Sequence, residues 1–174
     1  LFSYMLPMLY RRLDKAQETA WVADLKLNLA NGKTVAATNT FTYAEWMSFE
    51  HTLPAAYRTD GGFILSDSAY QIVRSLVDDN NRPILDLDPT NNFMATIHGK
   101  PVFVSDFMDA VAANKVIGAF CSADALKVFD AGLKRIARYI LQPAFPDQTG
   151  FELFANGDFG FVSAGVSLLK TAAA

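Results

Sequence analysis

A single cysteine, Cys121, stands in the 174 residues, so no internal disulfide can form, which suits a reducing compartment. Lysine and arginine never run longer than Arg11-Arg12, and the formal net charge is −3. An electrostatic grip on nucleic acid is therefore not indicated. No apolar run approaches the roughly 18 residues of a membrane span. Residues 1–10 are apolar, but they contain Pro7 and precede their arginines, which is the wrong order for a signal peptide. The two histidines, His51 and His98, lie in unrelated contexts and do not make a zinc site. There is no Gly-x-Ser-x-Gly elbow and no Gly-x-x-x-x-Gly-Lys phosphate loop. Internal repeats and low-complexity linkers are also missing. The chain begins at Leu1 without an initiator methionine, which reads as a fragment or processed product of something longer.

What is present is apolar and aromatic. The composition is 51% hydrophobic and 19% charged, as in a chain that folds. Fourteen phenylalanines suit a dense core or a large subunit interface. The length allows one good core or two small lobes.

Residues 62–104 organise the rest. Phe63, Ile64 and Leu65 form a short apolar run, as in a strand buried on both faces. Ser66, Asp67 or Ser68 can cap a helix. Ala69, Ile72, Val73, Leu76 and Val77 then share one helical face, and residues 78–81 end the helix before Pro83. Residues 86–92 read as a polar loop. A strand over 93–97 follows, and Gly99-Lys100-Pro101-Val102 turns the chain into another.

Upstream, residues 8–22 look helical, and residues 25–30 and 33–37 read as two strands about an Asn31-Gly32 turn. Thr42 and Glu45 match a capping box at a helix start, and Pro54 should kink or end that helix. Downstream, residues 106–114 form a polar connection. Strands are expected over 116–120 and 125–129. Residues 133–140 fit a helix and a strand almost equally by periodicity. Residues 142–149 read as a loop, 151–163 as a hairpin and 166–169 as a last strand.

No catalytic constellation stands out. Cys121, His51 or His98 and the aspartates supply the residue types for nucleophilic catalysis. However, Cys121 follows an apolar strand, where a small half-buried cysteine is expected instead of a reactive thiol. The nearest approach to a metal site is Asp86-x-Asp88. It lacks the further ligands of a calcium loop and sits among Pro89, Asn91 and Asn92, where short polar residues build turns. No metal and no cofactor are expected. His98 is expected to pack beside Gly99, and His51 on the solvated side of its helix.

The order of a strand, a capped helix, a polar loop and a strand carrying Gly-x-Pro-Val resembles the major capsid protein family of tailed phages, the Hong Kong 97-type capsid fold. The residues that carry the resemblance are 62–68, the helix up to Asp79, Gly99-Lys100-Pro101-Val102 and Val116-Ile117-Gly118-Ala119-Phe120. The resemblance runs from about Thr38 to the C-terminus and tips residues 133–140 to strand. It implies an α+β fold with residues 1–37 as the end of the spine helix and the start of the return strands. Residues 38–142 would be the axial domain and residues 143–174 the return strands of the peripheral domain. It implies a structural head subunit of a phage or prophage, not an enzyme, assembling with copies of itself into an icosahedral shell. A shell need not grip its contents, so the weak basic character is compatible with enclosing DNA. The family's N-terminal arm and extended loop would lie upstream of Leu1. Without them the chain is expected to be a monomer or weak oligomer. Scaffold and portal proteins would be further partners, with no specific nucleic acid and no membrane. Location would be the virion, after the host cytoplasm. Asp86, Asp88, Asn91 and Asn92 would form a subunit-contact loop. A bacterial compartment shell of the same fold and a small α/β enzyme are the rival readings.

Overall fold

A computed structural model describes residues 2–28, 31–78, 80–88, 94–130, 135–142 and 145–173. Helix α1, Phe2–Asn28, runs further than the sequence pattern predicts and includes residues 25–28, expected as a strand. Val22 and Leu25 recur at helical spacing and are both buried. In the last turn, the Lys26 ammonium donates to the Phe107 carbonyl at 2.9 Å and to Asp109 Oδ1 at 3.0 Å. These tertiary contacts outweigh the hairpin preference of Asn31-Gly32. Strand β1, Gly32–Thr34, instead pairs in parallel with a strand from the end of the chain.

The capping box forms as expected and starts α2, Tyr43–Glu50. Pro54 separates it from the one-turn α3, Ala55–Arg58. Strand β2, Gly61–Leu65, leads into α4, Asp67–Ser75, whose Ser66 cap accepts from the Ala69 N–H at 3.3 Å. Burial along β2 alternates, with Phe63 and Leu65 fully buried and Ile64 partly exposed, so only one face is sealed. Helix α4 stops about one turn before the expected end. Leu76 is already extended, and Val77 bridges to Pro83. Asp78 causes the change: its Oδ1 accepts from the N–H groups of Asn80 and Arg82 at 2.8 and 2.9 Å. A short aspartate side chain thus offers the backbone a tight turn in place of another helical turn.

The remaining strands are β3 (Leu85–Asp88), β4 (Met94–Ile97), β5 (Lys100–Val104), β6 (Val116–Ser122), β7 (Leu126–Asp130), β8 (Arg135–Gln142), β9 (Phe145–Phe154), β10 (Gly157–Phe161) and β11 (Val166–Lys170). Of residues 133–140, which the resemblance tipped to strand, 135–140 are strand, and 133 and 134 lie outside the described residues. Within the loop expected over 142–149, residues 142 and 145–149 are strand, because β8 and β9 pair out to Gln142↔Phe145, and residues 143 and 144 lie outside the described residues. Pro146 is tolerated there because the sheet has only two strands and hence free edges. The hairpin expected over 151–163 does not form, since β9 pairs with β8 and β10 with β7.

Seven strands form one mixed sheet in the order β1-β11-β6-β2-β5-β4-β3. Its centre is antiparallel between β2 and β6, with Phe63 opposite Phe120, and parallel between β2 and β5, with Phe63 opposite Val102. These side chains point to the face on which the core collects. Trp46 and Phe49 of α2 and Ala69 and Val73 of α4 complete that core. The Phe63 ring stacks on Phe120 at 4.4 Å and lies 4.9 Å from Trp46. At the β1 edge the backbone of Gly32 lies so close to the Leu168 carbonyl that any Cβ would collide with it.

The chain divides into two compact units. Leu1–Trp21 and Val128–Gly160 form one, and Val22–Lys127 and Phe161–Ala174 the other. The divisions thus fall at 21, 127 and 160, where the resemblance places boundaries at 37 and 142. The first unit holds most of α1 and the β8–β9 hairpin. The second holds the whole seven-stranded sheet, including β11.

Candidate subunit-contact surface

Asp86 and Asp88 do not lie in a loop. They occupy β3, which pairs antiparallel with β4 through Asp86↔Thr96 and Asp88↔Met94. The strand alternates leucine and aspartate, and the turn at Asp78–Arg82 delivers it to the sheet edge. Asp86 is exposed, as is Leu87 at 46%, whereas Leu85 is buried at 8%. Asn91 and Asn92 lie outside the described residues. The sequence offered a signal for this strand in Leu85 and Leu87, spaced by two, which the acidic and proline content around them obscured.

The β4–β5 turn is His98-Gly99, with φ of 50° and 74°. Two successive left-handed residues are what a tight type I′ hairpin requires, and Gly99 meets that at no steric cost. The His98 ring does more than pack beside Gly99. Its Nδ1 donates to Glu50 Oε2 at 2.9 Å, tying the turn to the end of α2, and its Nε2 lies 3.5 Å from the Tyr43 hydroxyl. Residues 48 apart in sequence are joined here, so periodicity gave no hint of the pair. His51 is exposed, as expected, and its Nδ1 accepts from the Arg58 guanidinium.

Glu45 closes the capping box. Its Oε2 accepts from the Thr42 N–H at 2.8 Å and its Oε1 from the Ala36 N–H at 2.6 Å. Desolvation alone raises its pKa, but the hydrogen bonds from Ala36 and Thr42 and the nearby Lys33 outweigh it, so the carboxyl titrates below its ordinary value. Cys121 lies beside a groove of about 460 Å³ on the far face of the sheet, together with Gly62, Ile64, Pro101, Phe103 and Ala123. Burial pushes the thiol up to about 12, so it stays protonated and unreactive at neutral pH. Among the described residues no group of three or more histidine, cysteine, aspartate or glutamate side chains could hold a metal ion. No described helix is long and apolar enough to cross a membrane.

A family model described as the phage capsid family matches residues 19–162, most of the chain. The chain belongs to the phage capsid family. Solved capsid structures share its fold. The capsid of a native GTA particle aligns over 99% of this chain and 66% of its own, at 18% identity and a TM-score of 0.75. The capsid of an empty GTA particle covers 83% of this chain and 49% of its own, at 24% identity and a TM-score of 0.59. A structure of Gordonia phage Cozz covers 85% and 51%, at 12% identity and the same TM-score. The capsid family member described here therefore has the Hong Kong 97-type α+β fold. It spans about half to two thirds of the length of those solved chains. No curated protein matches it.

Proposed function

We propose that the chain is the major capsid subunit of a tailed phage or prophage and builds an icosahedral shell from copies of itself. The observation that carries this reading is the family match over residues 19–162, supported by a fold shared with capsid chains across nearly the whole sequence. Its work is structural. The raised thiol pKa of Cys121 and the solvated position of His51 argue against nucleophilic chemistry in the described residues. The sheet-bearing unit, Val22–Lys127 with Phe161–Ala174, is read as the axial domain around capsomer axes. The helix-and-hairpin unit, Leu1–Trp21 with Val128–Gly160, is read as peripheral. Asp86 and Asp88, with Asn91 and Asn92 of the following segment, are subunit contacts. Scaffold and portal proteins are partners during assembly in the host cytoplasm, and the finished location is the virion. Expression of the full-length gene product followed by negative-stain microscopy tests the reading. Closed particles of uniform diameter are expected. A monodisperse small oligomer over a wide protein and salt range would overturn it.

A further inference from the structure

We propose that the two edges of the seven-stranded sheet form one head-to-tail contact, in which the acidic edge at β3 of one copy docks on the basic edge at β1 of the next. The inference rests on the capsid reading above and names the surfaces its subunits share. Strands β1 and β3 terminate the sheet on opposite sides. Six strand spacings separate them, about 29 Å. Neither has a strand partner on its outer side among the described residues, so each offers backbone donors and acceptors to a neighbour.

The charges at the two edges are opposite. Asp86 and Asp88 lie on β3, with Asp86 exposed and the exposed Leu87 between them. Arg82, in the preceding turn, is the nearest countercharge in sequence. At the other edge Lys33 lies on β1. The adjacent Thr34 is in register with Lys170 of β11, and Lys170 with Val116 of β6, one residue after Lys115. Lys33 thus lies on the edge strand, Lys170 on the strand beside it and Lys115 next to the third strand, all toward one corner of the sheet, with Lys33 and Lys170 on opposite faces. Among the described residues none of them forms an ion pair. Glu45 feels the charge of Lys33, but its oxygens accept the N–H groups of Ala36 and Thr42.

A second copy is the partner this arrangement fits. One chain carries both halves of a complementary pair on opposite sides, so no other molecule has to supply the complement. Rotation about an axis presents β3 of each copy to β1 of the next, and such heterologous contacts close into rings. Like charge disfavours β3 against β3 and β1 against β1, which selects the head-to-tail arrangement over a two-fold dimer.

Charge reversal in the full-length protein tests this. D86K/D88K and K33E/K115E/K170E should each melt like the wild type, since Asp86 and Lys115 are exposed, Lys33 and Lys170 are partly exposed and Asp88 lies on the edge strand, and each alone should lose particle formation. Combined in one chain, the two sets of substitutions should restore it. Every contact is then complementary again, with the charges exchanged, in rings of any number of copies. Particles from either single-edge variant at wild-type yield would overturn the inference, as would failure of the combined variant while it remains folded. Lysine variants that form normal particles and lose only enclosed nucleic acid would assign that corner to a polyanion instead. Wild-type protein that forms no particles would overturn the capsid reading itself, and this inference with it.

Discussion

Phe63→Ala should unfold this protein more readily than any change at the outer face of the same sheet. Phe63 is fully buried on β2. Its ring lies 4.4 Å from Phe120, 4.9 Å from Trp46 and 6.3 Å from Phe49. Removing a buried phenylalanine costs about 3–5 kcal/mol. Aromatic pairs contribute about 0.5–1.5 kcal/mol each beyond their area, which places this site at the upper end, about 4–5 kcal/mol. For a chain of this length each kcal/mol lowers Tm by about 2–4 °C, so a drop of about 8–20 °C is expected. Phe63→Leu keeps most of the volume and should cost only about 1–2 kcal/mol. The control is Phe103→Ala on the opposite face, where the side chain is 49% exposed and about 1 kcal/mol or less is at stake. Urea titration with circular dichroism measures all three. Equal midpoints for Phe63→Ala and Phe103→Ala would refute the assignment of the two faces and the core built on it.

Glu45→Gln should lower stability at neutral pH and matter less in acid. A carboxyl held below its ordinary value stabilises the fold fully above that value, and the stabilisation is lost as pH falls through the folded one. Melting both proteins at pH 7 and pH 3 checks whether the gap closes. Cys121 should resist alkylation in the native state: with the thiol pushed up to about 12, its thiolate at pH 7.5 is scarcer than in the unfolded chain by roughly a thousandfold. Iodoacetamide rates with and without denaturant measure the difference, and equal rates would refute the burial. Gly32→Ala should detach β1 from β11, because the new Cβ meets the Leu168 carbonyl, at a cost of about 1–3 kcal/mol. Loss of amide protection at Leu168, whose N–H donates to the Asn31 carbonyl at 3.1 Å, would report it.

Local chemistry decided much of this protein in advance. Ser66, and Thr42 with Glu45, cap the helices that their sequences announce, because a cap is satisfied within three residues. The apolar runs at Phe63–Leu65 and Val116–Phe120 became neighbouring central strands, and Gly99 marked its turn. Only the tertiary structure decided the rest, wherever partners lie far apart in the chain. Residues 25–28 are helical because Val22 and Leu25 find a core to enter, although Asn31-Gly32 favours a hairpin locally. Strand β1 waits for β11, more than a hundred residues later. The loop expected at Asp86 is an edge strand because β4 supplies its ladder. The placement of Lys33, Lys115 and Lys170 on or beside three successive strands at the opposite side of the sheet follows from strand order, which no local preference encodes.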